Sequence, residues 1–232
     1  MLILNHRYTF IFSLLVVLGM AVNPVCAQVG DLPDTVEVDK VPVLSEVSVM
    51  VDYGKLIAGL VLDTETKYEV GAQVVFYNKL VLVGEYGIAT LNPRGAYVNA
   101  DYQSEGSYYR VGLGYKIDMN QKNNFYLGIR YGHSTYSDQG NVRIVSESGI
   151  YDTFLYPFER EDIHAQWFEA VLSSERRIWK GLYAGFNLRL RVMIDYDNQA
   201  PLDVFSIPGY GRTFDHTVPA ANLYIKYSFE RF

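Results

Sequence analysis

Leu182-Tyr183-Ala184-Gly185-Phe186-Asn187-Leu188-Arg189-Leu190-Arg191-Val192-Met193-Ile194 is the stretch that decides the fold of this chain. Leu182, Ala184, Phe186, Leu188, Leu190 and Val192 share one parity, and Gly185, Asn187, Arg189 and Arg191 share the other. A period of two sends successive side chains to opposite faces of an extended strand, whereas a helix would scatter the arginines around its axis. The stretch predicts a strand with one apolar and one charged face.

Seven further stretches of roughly ten residues alternate in the same way between about Glu46 and the C-terminus. Going back towards the N-terminus, Phe168, Ala170 and Leu172 oppose Trp167 and Glu169 within Ile163–Ser174. Phe125, Leu127, Ile129 and Tyr131 oppose Gly128, Arg130 and Gly132 within Phe125–Tyr136. Tyr109, Val111, Leu113, Tyr115 and Ile117 oppose Arg110, Gly112, Gly114 and Lys116 within Ser107–Ile117. Leu80–Leu91 points Leu80, Leu82, Tyr86 and Ile88 one way and Glu85 the other. Tyr68–Tyr77 sets Tyr68, Val70, Ala72, Val74 and Phe76 against Glu69, Gly71 and Gln73. Glu46–Tyr53 sets Val47, Val49, Val51 and Tyr53 against Glu46, Ser48 and Asp52. The last strand places Leu223, Ile225, Tyr227 and Phe229 opposite Asn222, Lys226, Ser228 and Glu230.

The connections alternate in length. Asn78-Lys79, Asp118–Asn124 and Glu175–Gly181 are short, while Lys55–Lys67, Asn92–Gly106, Ser137–Asp162 and Asp195–His216 are long. Every long loop then lies on one rim, as in an eight-strand up-and-down antiparallel transmembrane β-barrel of the outer membrane. A soluble sandwich or lipocalin-like barrel also alternates, but a Greek-key connectivity gives no reason for this segregation. Composition agrees: hydrophobic residues make up 49% and aromatics 15% with 20 Tyr, yet mean hydropathy is −0.00. Such a barrel keeps every second residue free to be polar while aromatics gather at the interfaces. A net charge of −6 argues against nucleic acid as the partner.

The N-terminus reads as a secretory signal peptide over residues 1–27, with His6 and Arg7, an apolar run from Phe10 to Val22, and Val25-Cys26-Ala27 before Gln28. Cys26 raises the alternative of a lipoprotein, but Asn23 and Val25 occupy positions where such a signal wants a leucine-like and a small residue. Residues 28–45 read as a flexible periplasmic tail, and residues 46–232 as the outer-membrane β-barrel.

The inward parity gathers Glu46, Asp52, Glu69, Glu85 and Glu169 with Arg110, Lys116, Arg130, Arg189, Arg191 and Lys226. An eight-strand interior is only wide enough for side chains to fill, and isolated buried charges are costly. The expectation is a lumen charge network of Glu69, Glu85, Arg110, Arg130, Glu169, Arg189, Arg191 and Lys226, with Arg130, Arg189 and Arg191 meeting the three glutamates. A narrow channel is the alternative. His133-Ser134-Thr135 is the one place where base and hydroxyl cluster near acidic loops, as a lipid-modifying hydrolase would need; parity instead puts His133 on the outer face of Ile129 and Tyr131. No metal or nucleotide motif occurs, so no cofactor is expected.

Loops three and four carry Asp138, Glu147, Asp152, Glu159, Glu161 and Asp162, then Asp195, Asp197, Asp203 and Asp215. They also carry Tyr151, Phe154, Tyr156, Phe158, Phe205 and Tyr210. These loops suit a surface contact site, or the aromatics pack the loops on one another. The expected partners are outer-membrane lipid and lipopolysaccharide, the outer-membrane assembly machinery, and a surface or periplasmic protein.

Gly128-Ile129-Arg130-Tyr131-Gly132-His133-Ser134-Thr135-Tyr136-Ser137, Gln166-Trp167-Phe168-Glu169 and Ile207-Pro208-Gly209-Tyr210 resemble an uncharacterised family of small Bacteroidota outer-membrane β-barrel proteins, a domain of unknown function. The resemblance covers most of the chain and implies the location and the barrel. It implies no activity. The chain departs from the usual outer-membrane ending, because Phe229 and not Phe232 continues the outward parity; an overhang of the last three residues is the expectation.

Overall fold

The computed structural model describes residues 42–61, 65–93, 96–146, 152–197, 202–213 and 215–230. Ten strands and one helix follow in order: β1 (Leu44–Asp52), α1 (Tyr53–Val61), β2 (Glu65–Phe76), β3 (Leu80–Leu91), β4 (Ala100–Asp118), β5 (Asn123–Ile144), β6 (Phe154–Trp179), β7 (Leu182–Tyr196), β8 (Ser206–Ile207), β9 (Gly211–Arg212) and β10 (Thr217–Glu230). Strands β1 to β7 each pair antiparallel with their sequence neighbour, β10 pairs with β7, and β10 closes onto β1. The result is an eight-strand up-and-down antiparallel barrel. The signal peptide and most of the tail expected over residues 1–45 lie outside the described residues, although Leu44 and Ser45 already belong to β1.

The register sets the geometry. Val49 pairs with Ala72, which leads through Gly84, Val111, Tyr131, Phe168 and Val192 to Thr217 on β10. Val49 itself faces Tyr227 on β10, ten residues away from Thr217. A stagger of ten over eight strands tilts them by about 40° from the axis and leaves a bore that side chains fill. The outward residues named above are exposed or half-buried, with Val47, Leu113, Ile129 and Phe229 among the exposed. On β4 this apolar strip runs from Tyr109 to Ile117, about 20 Å along the axis at ~3.3 Å per residue.

Differences from the sequence reading lie at the strand ends. Tyr53 opens α1 rather than closing β1. The third long connection is mostly sheet, because β5 and β6 continue pairing to Ile144 and Phe154. Glu175 is not in a turn: β6 extends to Trp179, and the true turn is Lys180-Gly181. Between Tyr136 and Asp138 the β5–β6 register slips. Glu161 and Asp162 together oppose Ser137 there, with Asp162 in the left-handed region at φ 53°. This bulge reverses the parity of β6, so Phe158 and Arg160 turn inward above it while Ile163, Ala165 and Trp167 do so below.

Closure brings the two ends of the barrel sequence to the same rim, with Glu46 opposite Glu230. With Cys26 replaced by serine, cysteines at Val47 and Phe229 should be joined by a short thiol-to-thiol crosslinker, because these residues are cross-strand partners. Gel mobility reads the product, and the absence of intramolecular linkage in folded protein would contradict a closed barrel.

Candidate functional site: the filled lumen

The lumen is layered, and β6 crosses every layer. Its inward residues run Arg160, then Ile163, Ala165 and Trp167, then Glu169, then Val171 and Ser173, then Glu175. Inward residues on neighbouring strands match each level.

The middle layer is ionic. Arg110 Nη1 donates to Glu69 Oε2 at 2.7 Å and to Glu85 Oε2 at 3.1 Å, and its Nε lies 2.9 Å from Glu169 Oε1. Arg189 grips Glu85 with both terminal nitrogens, at 2.8 and 2.9 Å, and reaches Glu169 at 3.1 Å and Glu69 at 3.6 Å. Arg130 donates to Glu85, and Arg191 Nε stands 3.3 Å from Glu169. Two members carry no clear sequence signal. Lys55, in the first turn of α1, dips in to pair with Glu69 and lies 3.4 Å from Asp52, and the Tyr108 hydroxyl donates to Glu69 at 2.7 Å. Forked guanidinium–carboxylate contacts of this kind are strong and directional.

The structure brings seven of the eight network residues together. Lys226 belongs elsewhere. It lies in a second layer further down the bore, with Glu46 at 2.8 Å and Glu175 at 2.7 Å, under the Tyr183 ring. Tyr126, Tyr224 and Asn124 also donate to Glu175. Continuing the alternation from Glu169 by three steps finds Glu175, but the sequence reading had placed that residue in a turn. Met50, Val83 and Tyr224 form an apolar collar between the two ionic layers. A void of about 30 Å³ beside it has room for one or two waters.

The middle layer contains Lys55, Arg110, Arg130, Arg189 and Arg191 against Asp52, Glu69, Glu85 and Glu169, so cations exceed carboxylates by one. Backbone carbonyls offset the excess. The connection from β7 to β10 folds into the barrel mouth as the small β8–β9 hairpin. Arg110 Nη2 donates to the Gly209 carbonyl at 2.8 Å, and Arg191 Nη1 donates to the Tyr210 carbonyl. Ile207-Pro208-Gly209-Tyr210 makes the turn: Tyr210 N donates to Ile207 O at 3.1 Å, and Gly209 has φ 82°. Proline second and a positive-φ glycine third define a type II turn. Gly209 also lies flat on the Tyr108 ring, where a Cβ would collide.

The plug is sealed by apolar contact. Ile207 and Tyr210 are fully buried, with Tyr210 edge-on to Trp167 at 5.7 Å. Phe205 packs with Tyr102 and Phe158, beneath an Asp138–Arg160 pair whose Nε–Oδ1 distance is 2.7 Å. Tyr97 donates to the Asp203 carbonyl, and burial together with Asp203 raises its phenol pKa. Phe158, Phe205 and Tyr210 are therefore packing residues, the second of the two alternatives the sequence left for them. Phe154 and Tyr156 are exposed, and Tyr151 lies outside the described residues.

Ser134 is buried in the wall and donates to the Ser107 carbonyl at 3.3 Å, while His133 stacks on Tyr109 on the outer face. They sit on opposite sides of the sheet and form no nucleophile–base pair. Thr135 Oγ1 does reach His164 Nδ1 at 3.2 Å. The Asp197 carboxylate accepts from the backbone N–H of His164 rather than from its ring, and among the described residues no carboxylate hydrogen-bonds the ring as a triad acid would.

A closed barrel with a filled ionic interior and an apolar exterior is the class this chain defines. It belongs to the family designated domain of unknown function DUF6048, which matches residues 7–229. Curated proteins give no match. Among solved structures, the chain is similar to the N-terminal β-barrel domain of Pseudomonas aeruginosa OprF, at 9% identity and TM-score 0.41 over 80% of this chain and 98% of that one. It is also similar to Ail, the attachment invasion locus protein of Yersinia pestis, at 11% identity and TM-score 0.43 over 81% and 99%.

Two substitutions probe the lumen. Glu85→Gln leaves three guanidinium groups short of a charge and should destabilise by about 3–5 kcal/mol, whereas Lys67→Ala, which breaks a half-exposed pair with Glu65, should cost under about 1 kcal/mol; urea unfolding in detergent measures both. Gly209→Ala should loosen the plug and expose the β7–β10 connection to protease at a concentration the parent resists, with the barrel itself intact.

Proposed function

We propose that the protein is a small bacterial outer-membrane barrel that does not conduct, with a structural or surface-interaction role and its long connections directed outward. The filled bore carries this reading. Ionic layers, an apolar collar and a docked hairpin occupy the lumen in series, while the outer wall presents an unbroken apolar strip bounded by tyrosines. A wall of that kind is soluble only in lipid.

The β5–β6 hairpin supports a surface role. Above the bulge it continues with β4 alongside, paired from Ser104–Asp138 to Ala100–Val142, and exposes Ile144, Val145, Phe154, Leu155 and Tyr156. Exposed apolar residues at the upper ends of β5 and β6 are suited to contact a surface partner, with lipid and lipopolysaccharide around the wall below them.

Planar-bilayer recording of folded, purified protein tests the closed lumen. The expected result is a silent membrane across the usual voltage range. Reproducible single-channel steps, abolished by boiling, would establish a pore and overturn the reading.

A further inference from the structure

Across the outer face of β2 to β6 the pairing builds rungs that run perpendicular to the tilted strands. One rung joins Val70, Tyr86, Tyr109, His133 and Gln166. The rung above it joins Tyr68, Ile88, Ser107, Thr135 and His164. The third joins Thr66, Thr90, Glu105 and Ser137, where the Glu161–Asp162 bulge interrupts β6. Composition changes sharply over this short height, from aromatic to hydroxyl and carboxylate.

The side-chain lengths leave a hollow. Ser107, Thr135 and Ser137 are short, and Tyr68, Glu105 and Glu161 rise around them, enclosing a groove of about 540 Å³. Its floor borders the stacked Tyr109 and His133 rings, 5.3 Å apart and 22° from parallel. Its lining offers five Ser and Thr hydroxyls and three carboxylates but no lysine or arginine. Carboxylates accept and hydroxyls both donate and accept, so the matching ligand presents several hydroxyl groups and no bare negative charge. An unbridged phosphate would face Glu105, Glu161 and Asp162 with no cation to receive it.

We infer that this groove binds the sugar headgroup of a glycolipid in the outer leaflet. The inference rests on the outer-membrane reading, which sets Tyr86 and Tyr109 at the boundary of the apolar layer and the groove immediately above, at headgroup height. Acyl chains lie along Val111 and Leu113 below, the sugar edge meets the aromatic pair, and its hydroxyls reach Glu105 and Ser137. The bulge matters because it turns Glu161 and Asp162 towards the groove instead of continuing the strand past it.

Native mass spectrometry of the folded protein in detergent, with either a monohexosyl diacylglycerol or phosphatidylglycerol added, tests this. The expected result is a retained monohexosyl adduct that falls several-fold in Glu105→Gln and in the Ser107→Leu/Thr135→Leu double variant, whose outward side chains fill the groove. The heat-modifiable gel shift verifies that each variant is folded. Equal retention by parent and folded variants overturns the inference. So does preferential retention of phosphatidylglycerol that EDTA removes, which would mean a cation-bridged phosphate. A parent protein that stays monodisperse in water without detergent would instead sink the outer-membrane reading, an outcome distinct from loss of the sugar adduct alone.

Discussion

Glu85 receives guanidinium groups from three strands at once: Arg110 on β4, Arg130 on β5 and Arg189 on β7. It projects from β3 into a bore with no room for a solvation shell, so these contacts replace the water it gives up. Burying ions this deeply costs several kcal/mol each, and mutual attraction repays that only when nearly every lone pair and N–H is used. Each neighbouring residue is therefore constrained in turn. Glu69 is needed for Lys55, Glu169 for Arg191, and the plug carbonyls for the remaining cationic charge. What the ionic layer contributes most is uniqueness: a register slip of one residue would turn its arginines outward into the apolar face.

The walls accommodate these large side chains by leaving gaps opposite them. Gly87 pairs with Tyr108, Gly132 with Trp167, Gly112 with Arg130 and Gly185 with Tyr224, and in each case a Cβ on the glycine would strike the partner side chain. The bulky partners of these glycines thus lean across the neighbouring strand, while the ionic side chains meet across the bore, as Arg189 on β7 does with Glu85 on β3. That inclination lets Trp167 reach Glu169 on its own strand with its indole N–H at 2.8 Å. The glycines in this sequence record where bulk must lie flat.

Much of this was legible in the amino acids. Alternation gave the inward face of all eight strands, and Arg189 with Arg191 announced an ionic bore before any contact was known. The limits β3 shows, Leu80–Leu91, follow from the pattern alone. At the barrel mouth the pattern failed because of a parity change. The Glu161–Asp162 bulge reverses β6, so Phe158 and Arg160 read as solvent-facing loop although they line the mouth. The docked hairpin was invisible for another reason: its binding groups are the carbonyls of Gly209 and Tyr210, which every residue possesses and no side-chain pattern can advertise. Lys55 was hidden likewise, since a helical turn carries it inward from what reads as a surface connection.

The hairpin held by Arg110 and Arg191 also acts as a chord. Its two anchors stand on β4 and β7, opposite margins of a four-strand segment that pairs without help from β1 or β10. A flat segment would hold those margins too far apart for one short hairpin to reach both. The docked hairpin therefore ties β4 to β7 across an arc, and β10, which follows it in the chain, pairs along the edge of β7. Half the wall thus has its curvature held from the inside, by a brace of backbone carbonyls spanning the bore.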